Sequence, residues 1–69
     1  MDKKSRIKAA ASFSGIREGK IAEALDMSQA SFSKKATRGT FSDNEMAAIA
    51  KAVGAEYEVY FRFPDGTRI

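Results

Sequence analysis

The chain has 69 residues, 12 lysines and arginines against nine aspartates and glutamates, a formal net charge of +3, and no histidine, cysteine or tryptophan. A second core would need roughly 100 residues more, so one small, mildly basic domain is expected. Without Cys and His there is no zinc site of the usual kind, no thiol nucleophile, no disulfide framework and no imidazole base, which argues against most enzymes and against a metal or other cofactor. Cofactor-free binding is the default. Hydrophobic residues make up 43% of the chain, but 12 of them are alanine, so the core is expected to be thin and helped by tight helix packing or a partner subunit. No apolar run approaches the length of a membrane span. The opening MDKKSRIKAAASFSG lacks a Leu-rich stretch and a small-residue cleavage site. Its basic, Ala/Ser-rich character faintly resembles a transit peptide but reads equally as a first helix, and a cytoplasmic location is the expectation.

No linker, repeat or low-complexity tract interrupts the chain, so residues 1–69 are read as a single domain. From about Lys3 to Ser14 the residues favour helix, with Ile7, Ala10, Ala11 and Ser14 on one stripe and Gly15 placed to cap it. A second, short helix is expected over 18–25, where Ile21, Ala22 and Leu25 share a face. Asp26 and Met27 then intervene before Ser28, a good N-cap for a third helix over 28–36 that Phe32 anchors inward. Ser42 and Glu45 have the spacing of a capping box, opening a fourth helix over 43–53 with Met46, Ile49, Ala50 and Val53 on its apolar face and Gly54 at its end.

After Gly54 the period changes from 3.6 to 2. Tyr57, Val59, Phe61 and Phe63 alternate with Glu56, Glu58, Tyr60 and Arg62, which predicts a strand over 56–63 with one buried face. Phe63-Pro64-Asp65-Gly66 suits a type I turn at 64–66, with Thr67, Arg68 and Ile69 as a short return strand. The expected fold is therefore mainly α: four or five helices with a C-terminal β-strand or short hairpin.

Two short helices joined by three or four residues, with a small residue, Ala22, in the first and a Ser cap opening the second, meet the requirements of a helix-turn-helix. Ile21, Leu25, Met27 and Phe32 are placed to fill the wedge between them. The segment from Ile16 to Lys34, IREGKIAEALDMSQASFSK, resembles the helix-turn-helix of the lambda repressor and Cro (XRE-type) family, in particular a small prophage or Firmicute-type member. The resemblance spans roughly residues 5 to 54, and the ending from Tyr57 looks like the strand appended in short Cro-like regulators. The chain departs from the family pattern at Asp26, where Gly is usual, at Lys35, where an apolar residue is usual, and at Glu18, where Gln often braces a phosphate. A usual Arg and Glu are both replaced by alanine, at Ala11 and Ala36, which avoids leaving one buried charge unpaired.

The resemblance implies a repressor/Cro-like domain that binds double-stranded DNA sequence-specifically. It implies a transcriptional regulator, a repressor by promoter occupancy, acting as a homodimer on a pseudo-palindromic site. The third helix becomes the recognition helix, with Ser28, Gln29, Ala30, Ser33 and Lys34 aligned to base-reading positions. Gln29 suits adenine and Lys34 suits guanine, each contact discriminating by about 1–3 kcal/mol. Arg17, Lys20, Lys35, Thr37 and Arg38 are the candidate phosphate contacts. The dimer interface is expected along the strand, at Glu56, Tyr57, Glu58, Val59, Tyr60 and Phe61, setting recognition helices about 34 Å apart.

Charge distribution agrees with that placement. Through Phe41 the chain carries nine cations against four acids, a net +5, and from Ser42 onward three cations against five acids, a net −2. The basic half holds the helix-turn-helix. Plainer readings exist for the same residues: Lys34, Lys35 and Arg38 as a solvated helix end favoured by the dipole, and the aromatics from Tyr57 to Phe63 as core packing. The rival function is a protein-interaction module, an antitoxin or phage-encoded inhibitor, that uses the same fold to grip a protein.

Overall fold

The computed structural model describes residues 2–69. Among them it has four α-helices, α1 (Lys3–Ser14), α2 (Glu18–Ala24), α3 (Gln29–Arg38) and α4 (Asp43–Ala52). The protein is mainly helical, as expected, with the fifth helix absent among the described residues. No helix there is long and apolar enough to cross a membrane.

Each helix boundary has a local cause. The Asp2 carboxylate caps α1 by accepting from Ser5 N–H at 2.8 Å, and Gly15 ends the helix in the left-handed region, φ 73°. That capping bond is the main reason the Asp2 carboxyl sits below its ordinary pKa. Ser28 opens α3, and Gly39, φ 66°, closes it two residues later than the sequence pattern suggests. At α4 the capping box forms in both directions: Glu45 N–H donates to Ser42 Oγ at 3.1 Å and Ser42 N–H to Glu45 Oε1 at 2.9 Å.

The turn between α2 and α3 rests on Asp26, the one non-glycine residue with positive φ (57°) among those described. Asp reaches this left-handed conformation more easily than most residues because a short polar side chain can bond locally. Met27 N–H donates back to Ala22 O at 2.9 Å, closing the turn under the end of α2.

The core contains Ile7 and Ala11 from α1, Ile21 and Ala22 from α2, Phe32 and Ala36 from α3, and Met46 and Ile49 from α4. Leu25, Met27 and Val53 pack at its margin. One core residue has no helical register to announce it. Phe41, in the α3–α4 connection, is 1% exposed and meets Phe32 at a ring-centroid distance of 5.2 Å and a tilt of 49°. Lys3 Nζ donates to the Phe41 carbonyl at 2.5 Å and ties the start of α1 to this connection. α2 packs on both α3 and α4, and α1 on α3.

Among the described residues the expected strand over 56–63 does not form. Only a single antiparallel bridge, Arg62 to Arg68, forms, around the expected turn where Gly66 N–H donates to Phe63 O at 2.9 Å. The expected buried face is also absent: Tyr57 alone packs against the core, while Val59, Phe61 and Phe63 are 63%, 74% and 47% exposed. The reason is geometric. The helices close the core among themselves and offer no sheet edge for the ending to join. It projects instead as an arm, and the radius of gyration of 13.0 Å exceeds the roughly 11 Å of a compact chain this long.

Candidate nucleic-acid interface

α3 divides into two faces. Phe32 and Ala36, one turn apart, are buried, and the opposite side presents Ala30, Ser33, Lys34, Thr37 and Arg38 to solvent. The buried pair fixes the rotation of the helix, so these five side chains point outward together. Ala30, Ser33 and Lys34, expected at base-reading positions, share this face with Thr37 and Arg38 from the phosphate set.

Ser28 and Gln29 are placed differently. Ser28 Oγ accepts from Ser31 N–H at 3.1 Å and donates to Ser31 Oγ at 3.0 Å, so its hydroxyl is engaged in capping α3. Gln29 is exposed but leans across the first turn of α2, where a Cβ on Gly19 would stand 3.3 Å from Gln29 Oε1. Gly19 therefore leaves room for the Gln29 amide. Sequence reasoning passed over it, because the only signal is a glycine inside a short helix, which is otherwise unfavourable.

Arg17 and Lys20 are exposed at the start of α2, on the rim of the cleft that Gln29 enters. Arg17 is the α2 N-cap residue and makes no side-chain capping bond. Lys35 is turned the other way. Its Nζ donates to Glu45 Oε2 at 2.7 Å and lies 5.7 Å from the Phe41 ring centroid, forming the only ion pair among the described residues. The hydrogen bond from Lys35, followed by that from Ser42 N–H, holds the Glu45 carboxyl below the usual carboxylate range. In this position Lys35 joins α3 to α4, with its charge already neutralised by a neighbour.

Two further cations belong to this surface. Lys4 and Lys8, one turn apart on α1, line a shallow cleft with Glu18 and with Ser33 and Thr37 of α3. Their i, i+4 spacing was visible in the sequence, but which neighbouring helix they face depends on how α1 packs on α3. Among the described residues no group of three or more His, Cys, Asp or Glu side chains is arranged to hold a metal ion.

Over the described residues the fold and this surface define a small protein of four helices that carries a polar, cationic helix face on its basic half. Compared with protein-family models, curated proteins and solved structures, the chain gives no match.

Proposed function

We propose that this chain is a sequence-specific double-stranded DNA-binding protein with a repressor/Cro-like helix-turn-helix, a small transcriptional regulator that acts by occupying a promoter. The observation that carries this reading is the outward face of α3. It presents a small apolar side chain, two hydroxyls and two cations, Ala30, Ser33, Thr37, Lys34 and Arg38, on a helix held rigid by Phe32 and Ala36. Such a face fits a major groove, where base edges are read by hydrogen bonds and thymine methyls by small apolar groups. Arg17, Lys20, Lys4 and Lys8 stand around it, in positions suited to the phosphates on either side. Lys35, paired with Glu45, plays the lesser part among the phosphate contacts.

The protein works as a homodimer on a pseudo-palindrome, with the arm from Glu56 to Phe63 becoming a strand when two copies pair. The exposed Val59, Phe61 and Phe63 support this, since an apolar arm without a covering surface is stabilised by burial against a partner.

Selection from a pool of randomised duplexes at near-physiological salt tests the function. The expected result is enrichment of an inverted repeat with half-sites one helical turn apart, lost in Gln29→Ala although that variant still folds. Retention that falls uniformly with salt and enriches no sequence would sink the reading. A second reading, a protein-interaction module such as an antitoxin or phage-encoded inhibitor, is favoured by Phe13, 97% exposed on α1. It takes over if no duplex is enriched.

A further inference from the structure

The hairpin in the arm sets two cations side by side. Phe61 and Ile69 exchange both backbone hydrogen bonds, at 2.5 and 2.7 Å, and Phe63 N–H donates to Thr67 O at 2.7 Å. Arg62 and Arg68 lie between these rungs as a non-hydrogen-bonded pair, the kind in which Cα atoms approach to about 4.5 Å and side chains stand closest. The Arg68 guanidinium is 4.8 Å from the Tyr60 ring centroid, so Tyr60, Arg62 and Arg68 share one face. Like charges placed opposite each other destabilise a strand pair. Neither arginine has an ion-pair partner among the described residues.

The acids of the arm cannot supply one within the same chain. In an extended strand Glu58 and Glu56 fall on the same face as Arg62, but Glu58 is about 14 Å away and Glu56 about 20 Å. Asp65 is occupied at the turn, where it accepts from Thr67 N–H at 2.9 Å. The backbone is also unfinished on one side. Because Phe61 and Phe63 bond toward the return segment, the N–H and C=O of Arg62 point to the other edge, and with the arm extended those of Tyr60 and Glu58 do too. No backbone hydrogen bond of Glu58, Tyr60 or Arg62 is formed among the described residues.

We propose that a second copy of this chain pairs antiparallel along that edge, with Arg62 of each copy held by Glu56 and Glu58 of the other. This rests on the homodimer reading above and gives it an orientation and a register. Both strands must use the bonding groups of residues 58, 60 and 62. With the twofold axis at Val59, Arg62 faces Glu56 directly and Glu58 diagonally. With the axis at Tyr60 it faces Glu58 directly and Glu56 diagonally. An axis at residue 58 opposes Glu58 to itself, an axis at 61 leaves Arg62 facing Tyr60, and an axis at 62 opposes the arginines. A parallel, in-register pairing sets every charge against its own kind. Only the first two arrangements relieve the Arg62–Arg68 repulsion and complete the open backbone edge together.

Sedimentation of the 69-residue chain from micromolar to near-millimolar concentration tests this, with circular dichroism to show that each variant keeps its helices. The wild type is expected to pass from monomer to dimer. Glu56→Lys combined with Glu58→Lys weakens the dimer about tenfold or more, Arg62→Glu alone weakens it by a similar factor, and the triple variant carrying all three changes recovers wild-type affinity. A wild type that dimerises while the triple variant is no tighter than the double overturns the charge register and leaves the homodimer standing. A wild type that stays monomeric throughout overturns both.

Discussion

In the helical body Ile7, Ile21, Phe32 and Phe41 are each 1% exposed or less, whereas in the arm Val59, Phe61 and Ile69 are 63% exposed or more. The two regions use similar apolar residues with opposite results. Helical periodicity gathers its apolar side chains on one stripe that meets other stripes within the same chain. Strand alternation produces a flat face and an open backbone edge, and a single short hairpin satisfies neither. The body therefore buries its apolar side chains within one copy, while those of the arm stay exposed.

The sharpest way to break that contrast is to truncate one aromatic ring in each region. Phe32→Ala should lower the unfolding free energy by about 3–5 kcal/mol, the usual cost of emptying a buried aromatic site, and so consume much of the stability of a domain this small. Phe61→Ala should change it by no more than about 0.5 kcal/mol under dilute, monomeric conditions. Urea titrations of both variants check this, and comparable losses would mean the arm packs on the body after all.

Within α3 the two adjacent lysines sharpen the comparison between a surface left open and one already engaged. Lys34→Ala should weaken specific DNA binding by about 1–3 kcal/mol. Lys35→Ala should act mainly on thermal stability, with a smaller change in the slope of affinity against salt than Lys34→Ala produces. Binding isotherms at several salt concentrations separate the two. If Lys35→Ala changes the slope more, its bond to Glu45 gives way when DNA is present.

The pH response should come mainly from the body. Glu45 is held below its ordinary value in the folded protein, chiefly by Lys35, so its contribution to stability is fully present above the unfolded carboxylate value of 4.5. It is lost as pH falls through the lower, folded value. Thermal midpoints followed from neutral pH downward should drop below about pH 4.5, and less steeply in Glu45→Gln. Asp2 and Asp65, lowered by their bonds to Ser5 and Thr67, add to the same acid loss, so some slope remains in that variant.

The smallest effect is expected at the α2–α3 turn. Asp26→Gly relieves a left-handed backbone but makes the unfolded chain more flexible, leaving a net gain of about 0.5 kcal/mol in stability. A chemical-denaturation midpoint lower than that of wild type would show that the Asp side chain contributes more to the turn than its backbone strain costs.

Much of the body was legible in the chain itself. Caps and apolar spacing placed α1 from Lys3 to Ser14 and α4 from Asp43, and Phe32 as the inward anchor of α3, because those signals act within one or two helical turns. The candidate surface was legible in part. That Ala30, Ser33 and Lys34 face outward follows from the register of Phe32. The roles of Ser28 as a cap, Lys35 as a tie to Glu45 and Gly19 as room for Gln29 depend on residues that no short spacing connects.

Local sequence by itself thus determined where the helices start, the turn at Asp26 and the basic character of the first 41 residues, since propensity, capping and charge are properties of neighbours along the chain. Only the tertiary structure decided that Phe41 enters the core beside Phe32, that Lys4 and Lys8 face α3, and that the alternating arm from Tyr57 stays open. These outcomes depend on which surfaces meet across distant positions. A period-2 pattern specifies a face that seeks burial, but whether anything covers it is settled by the space the helices leave.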